Sequence, residues 1–166
     1  MAPVELLPDP DPAIAALARD LARARRPSYP LTLEVRRLAE PPDVATEALD
    51  ALAVEAGFRG LGDGWVEVPR RIAAKLLAHV IGSELAYPAE VIPAEHVEAL
   101  AGRFLALFPA QARYFTNGAL SGDFAVYSSA GDEVLGWRSI SEAPLDNGVI
   151  ALSPERVAML WAEDAP

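Results

Sequence analysis

Arg71, Lys75 and His79 recur at i, i+4 and i+8, so on a helix they form one basic stripe to which an anionic ligand or a substrate carboxylate can dock. Arg70 adjoins it. The same spacing also describes an ordinary solvated flank, whose bases pair with nearby acids for roughly a few tenths of a kcal/mol each. A second cluster is acidic and aromatic. Asp132, Glu133, Glu142 and Asp146 surround a run, residues 133–139, that carries Trp137. Aromatic rings supply large contact area at low entropic cost, and a carboxylate rim attracts a basic surface. Asp132, Glu133, Trp137, Glu142 and Asp146 are therefore the expected partner-binding residues, and Arg71, Lys75 and His79 the expected anion-binding ones.

Other chemistries find less support. His79 and His96 are the only histidines, and neither has a second ligand at the spacing a helical metal site needs, so no metal and no cofactor are expected. There is no thiol, no Gly-x-Ser-x-Gly elbow and no Ser-x-x-Lys; the serines at 121, 128, 129, 139 and 141 have no base beside them in sequence. Acid–base work by Glu142 and Asp146 stays open, because catalytic carboxylates converge in space from distant positions. Gly57, Gly60, Gly62 and Gly64 suggest a phosphate cradle. Their context is inverted, with a helix before and a strand after, and Asp63 repels phosphate, so they read as a loop.

The elements that must position these residues follow from periodicity. Asp11 caps a helix with Pro12 at its first position and Ile14, Leu17 and Leu21 on one side, running to about Arg26. Residues 31–38 alternate as a half-exposed strand. A helix restarts after Pro41-Pro42-Asp43 and stops at Gly57, a short strand covers 64–68, and a third helix covers 70–85. A fourth begins at Pro93, after a tight connection over 86–92. Beyond Phe108 short apolar runs (112–116, 123–128, 133–139, 148–152 and 156–163) alternate with turn residues, including Asn117-Gly118, Ala130-Gly131-Asp132, Asp146-Asn147-Gly148 and Ser153-Pro154-Glu155. Leu135 and Trp137 fall on one face of their run, so Trp137 should be buried wherever Leu135 is. The last two runs are apolar on both faces, so the final hairpin must be central in the sheet, roofed by helices or held against a partner.

The expected fold is therefore α+β: helices packed on one face of a mostly antiparallel sheet, with the C-terminal third a β-meander. Residues 1–10 offer little to bury and are expected to be a mobile leader to a single domain over 11–166.

Twenty-four acids against fourteen Lys and Arg give a net charge of −10, which argues against nucleic acid as a partner because its affinity depends on displacing counterions with bases. The first residues have no basic, apolar signal pattern, and the most apolar helix is interrupted at Lys75 and His79, so a cytoplasmic protein without membrane contact is expected. The leading functional expectation is a bacterial inhibitor or immunity-type protein that grips a basic protein partner. The alternatives are a small enzyme with a site assembled from separate loops and helices, and a homo-oligomer built through the C-terminal hairpin.

Overall fold

A computed structural model describes residues 3–24, 31–83, 85 and 92–164. The chain runs β1 (Leu6–Pro8), α1 (Pro12–Ala24), β2 (Leu31–Leu38), α2 (Ala45–Glu55), β3 (Val66–Val68), α3 (Arg70–Gly82), α4 (Ala94–Leu105), β4 (Arg113–Thr116), β5 (Leu145–Leu152) and β6 (Arg156–Asp164). The strands form one antiparallel sheet in the order β1-β2-β6-β5-β4-β3. The α+β class and the C-terminal meander β4-β5-β6 are present as the sequence implies. Arg25, Arg26 and the connection over 86–91 lie outside the described residues.

The doubly apolar hairpin sits at the centre. β6 pairs with β2 on one side and β5 on the other, and residues 157–162 are all buried. Its two faces are built differently. Ala158, Leu160 and Ala162, with Val149 and Ala151 of β5, face the layer of α1, α3 and α4; the alanines let helix backbones approach the sheet closely. Met159 and Trp161, with Ile150 and Leu152, face the opposite side. There α2, the segment around Trp65 and Ile140 of the β4–β5 connection lie above the sheet, and larger side chains fill the thickness that further helices would otherwise supply. Trp161 is fully buried and meets Trp65 edge to face at 6.0 Å; by area its burial is worth on the order of 4 kcal/mol. Three helices thus take the expected face, and α2 departs from that layout by covering the other. Its small and branched side chains Ala48, Leu49, Leu52 and Ala53 are all buried there.

Both sheet edges are three-residue strands, β1 and β3, too short to template pairing with another chain. β1 falls within the expected leader. Leu6–Pro8 pairs antiparallel with Arg36–Leu38 of β2, and Ala39 N–H donates to Glu5 O at 3.2 Å; β2 supplies an open edge that three residues can extend. The runs 123–128 and 133–139 are not ladder strands. They meet only through the isolated bridge Tyr127–Glu133, and Trp137 bridges to Gly118. Gly136, at φ +76 between Leu135 and Trp137, breaks the alternation that would give the two the same burial. Leu135 is 84% exposed and Trp137 is half-buried.

Gly148 shows how tightly the centre is packed. A Cβ there would lie 2.2 Å from Leu160 O and 2.6 Å from Trp161 Cε3, both inside the best-buried pair of strands. Gly148→Ala should cost about 3 kcal/mol, read as a lower urea midpoint at unchanged slope. A variant within about 0.5 kcal/mol of the parent would show that β5 and β6 can slide apart.

Candidate functional site

The polar chemistry of the fold concentrates on one carboxylate. Asp146 has no exposed surface, although its Asp-Asn-Gly triplet reads as a turn; the triplet instead lies inside β5, with Asp146 opposite Glu163, Asn147 opposite Ala162 and Gly148 opposite Trp161. Asp146 Oδ1 accepts from Asn117 Nδ2 at 3.1 Å, Trp161 Nε1 at 3.1 Å and Ile140 N at 3.2 Å. Oδ2 accepts from Ser141 Oγ at 2.7 Å, Ser141 N at 3.1 Å, Ile140 N at 3.2 Å and the Ser139 hydroxyl. Both oxygens thus receive N–H donors, the set that keeps a buried carboxylate satisfied. Across the ladder, burial first and the nearby Asp146 charge second push the Glu163 carboxyl above its ordinary value.

These bonds position the long connection from β4 to β5, residues 117–144. Antiparallel neighbours need only about 2–5 loop residues, and structureless connections beyond about 12–15 are uncommon, being either functional or linker segments. At the neck, Asn117 Nδ2 also donates to Arg138 O at 2.8 Å and Asp146 O at 2.9 Å, while Asn147 Nδ2 donates to Asn117 Oδ1 at 2.7 Å and to Gly118 O at 3.2 Å. Further out, Ala119 N donates to Gly136 O and Val134 N to Val126 O, each at 2.8 Å. At the tip, Ser128 N donates to Asp132 O, and Ser129 N reaches Glu67 O on β3, both at 2.8 Å. The excursion is therefore tied to the sheet at its neck, its exit and its tip.

What it presents is apolar and acidic. A shallow depression of about 430 Å³ is lined by Asp123, Phe124, Glu133 and Leu135, among others. Leu135 and Tyr127 are the exposed large hydrophobics of the excursion, and Asp123, Asp132 and Glu133 are exposed around them. Residues 117–137 contain no Lys, Arg or His. Phe124 fixes the floor by packing edge to face on His79 of α3, 6.0 Å between ring centroids.

The expected residues therefore separate. Asp132 and Glu133 are exposed on the excursion, and Trp137 is half-buried at its neck. Glu142 is exposed on the turn after Ser141 and does not line the depression. Asp146 is corrected from a rim residue to the buried hub, because a carboxylate surrounded by seven donor contacts has none left for a partner. The basic stripe also divides: Arg71 and Lys75 are exposed, whereas His79 is buried, because i+8 has rotated far enough round the helix to meet the core. The glycine-rich segment is the loop it was expected to be, held by Asp50 Oδ1, which accepts from Leu61 N at 3.0 Å, Gly62 N at 3.2 Å and Trp65 Nε1 at 2.7 Å. The exposure of Leu135 is not foreseen from the sequence; the glycine that follows it, Gly136, is the one signal that the alternation breaks there.

A concavity of about 640 Å³ lies elsewhere, between the N-terminal segment and the β5–β6 turn. Its floor is a clamp. Arg156 donates to Asp9 at 2.7 and 3.1 Å, to Asp11 at 3.2 Å and to Leu107 O at 2.6 Å, so four of its five N–H groups tie the segments that follow β1, precede α1 and follow α4. Among the described residues, no three His, Asp or Glu side chains converge as metal ligands, and no helix is long and apolar enough to cross a membrane.

Two expected outcomes check these assignments. Asp146→Asn places an amide donor against N–H groups and should cost about 3 kcal/mol, with changed Trp161 fluorescence; a loss under 1 kcal/mol would show that the carboxylate does not hold the excursion. For Asp9, burial alone raises the carboxyl, but the hydrogen bonds from Arg156 and Asp11 N and the charges of Arg156 and Arg37 outweigh it, so its pKa lies below the ordinary value. A depressed carboxyl stabilises the fold fully above about pH 4 and loses that contribution as pH falls through the folded value. The stability gap between the parent and Asp9→Asn should accordingly shrink between pH 6 and pH 3; a constant gap would contradict the clamp.

Compared with protein-family models, curated proteins and solved structures, the chain matches none.

Proposed function

We propose that this protein acts in the cytoplasm by binding, as an inhibitor or immunity-type protein that grips a basic protein partner through the 117–137 excursion. The carrying observation is Leu135, 84% exposed, on a connection that a buried carboxylate and three sets of backbone hydrogen bonds hold in one conformation. An exposed leucine on a loose loop means little. On a pre-organised loop it is an anchor whose ordering cost has already been met, which is how rigid binding loops gain affinity. The acids around it supply the second half of the argument. Asp123, Asp132 and Glu133, with no base in the same stretch, form a one-sign rim that complements Lys and Arg on a partner and accelerates its approach.

The labour divides: Leu135 and Tyr127 set the off-rate and the acids set the on-rate. A peptide alternating Arg and Trp, titrated into isotope-labelled protein at 50 mM salt, is expected to shift Asp123, Tyr127 and residues 132–135 selectively. The Asp132→Lys/Glu133→Lys double variant should weaken it at least tenfold and flatten its salt dependence. Leu135→Ser should weaken it with the salt dependence unchanged. Shifts spread equally over the other acidic surfaces, such as Glu5, Glu40 and Glu47, would sink the proposal.

A further inference from the structure

A second surface has the opposite sign. On α4, His96, Ala99, Leu100 and Arg103 stand at i, i+3, i+4 and i+7 and so form one stripe. On α1, Asp20, Arg23 and Ala24 stand at i, i+3 and i+4. These seven residues line a slot of about 300 Å³ between the two helices. It exists because Ala24 and Ala99 are too small to fill the space above Leu100, which is buried as the floor. Its charge is not neutral. Asp20 is taken up by Arg103 at 2.7 Å and Arg19 at 3.2 Å. Arg23 and His96 have no ion pair among the described residues, so the slot presents an unspent guanidinium and an imidazole above an apolar floor, on a chain whose net charge is −10.

We infer that this slot binds a small amphipathic carboxylate, its acid group on Arg23 and His96 and its apolar body laid on Ala24, Ala99 and Leu100. A guanidinium offers a carboxylate two parallel N–H donors, a geometry that an ammonium or a neutral polar group cannot reproduce. The volume lies at the lower end of small-molecule sites, which limits the body to a short aliphatic chain or one ring. The overall negative field of the protein repels anions at long range, so affinity has to come from contact, from the guanidinium pairing and the apolar burial together. A carboxylate without a tail gains too little, and a tail carrying an amine meets the wrong charge. The site shares no residue with the excursion, and the two readings stand or fall separately.

Octanoate is the probe. Titrated into isotope-labelled protein, it is expected to shift the amides of residues 20–24 and 96–103 saturably in the millimolar range, with acetate at least tenfold weaker and octylamine without effect at these residues. Arg23 and Ala99 are both exposed, so substitution there spares the core. Arg23→Ala should weaken octanoate at least fivefold. Ala99→Trp fills the slot and should abolish the shifts while the spectrum elsewhere stays that of the folded parent. Octylamine binding as well as octanoate, shifts that fail to saturate or fall outside the two helices, or an Ala99→Trp variant that binds normally would each overturn the assignment.

Discussion

A carboxylate buried in the middle of a sheet must collect its hydrogen bonds from its own chain, and Asp146 does so from residues as far away in sequence as Asn117. That requirement shapes the molecule's most distinctive segment. Ser139, Ile140 and Ser141 can serve the carboxylate only if the chain wraps around it, and Asn117 can serve it only if the neck closes opposite Arg138. With the neck and exit so determined, the path between them has few options. Each hydrogen bond to a charged group is worth about 1.5–3 kcal/mol, and together they tie a connection of this length to the sheet without its being a regular hairpin.

The hub is possible only because β5 and β6 are sealed on both faces. Trp161 contributes its indole N–H to Asp146 and its ring to the α2 side of the core, so one residue joins the apolar and polar halves of the design. Gly148 beside it lets the strands approach closely enough for the indole to reach. The low-polarity surroundings strengthen each bond to the carboxylate, and they also raise the cost of the neighbouring Glu163, whose carboxyl is pushed up by burial and by Asp146 itself. The site tolerates one buried anion fully served by donors and disfavours a second beside it.

The parts of the fold that could be read from the sequence are those where one strong local rule acted alone. The alternation of residues 31–38 became β2, the stripes of α3 and α4 became buried helix faces, Gly57 ended α2 at φ +92, and the doubly apolar last runs became the central pair. The failures occurred where two rules demand the same residues. Asp-Asn-Gly satisfies hairpin-turn chemistry and equally satisfies a buried polar hub beside a close strand approach; only Asn117, Ser139, Ser141 and Trp161, remote in sequence, distinguish the two. Runs 123–128 and 133–139 alternate like strands but have no ladder to join, so alternation did not set burial there, and Leu135 came out exposed. β1 was invisible because three residues have no period; the open edge of β2 recruited them.

The proposed binding face follows from the same separation of roles. Of the acidic residues expected to form a rim, the buried one, Asp146, gives up surface charge to fix backbone, and the exposed ones, Asp132, Glu133 and Glu142, sit on the connection it ties down. Had all of them been exposed, the excursion would carry more charge but no reason to hold a shape, and a partner would have to order it on binding at a cost that grows with every residue fixed. One carboxylate moved inward lowers that cost for the whole segment. The loss of one rim charge removes only a screened surface interaction, worth about 1 kcal/mol or less, so under the proposed function the buried position contributes more than the exposed one would.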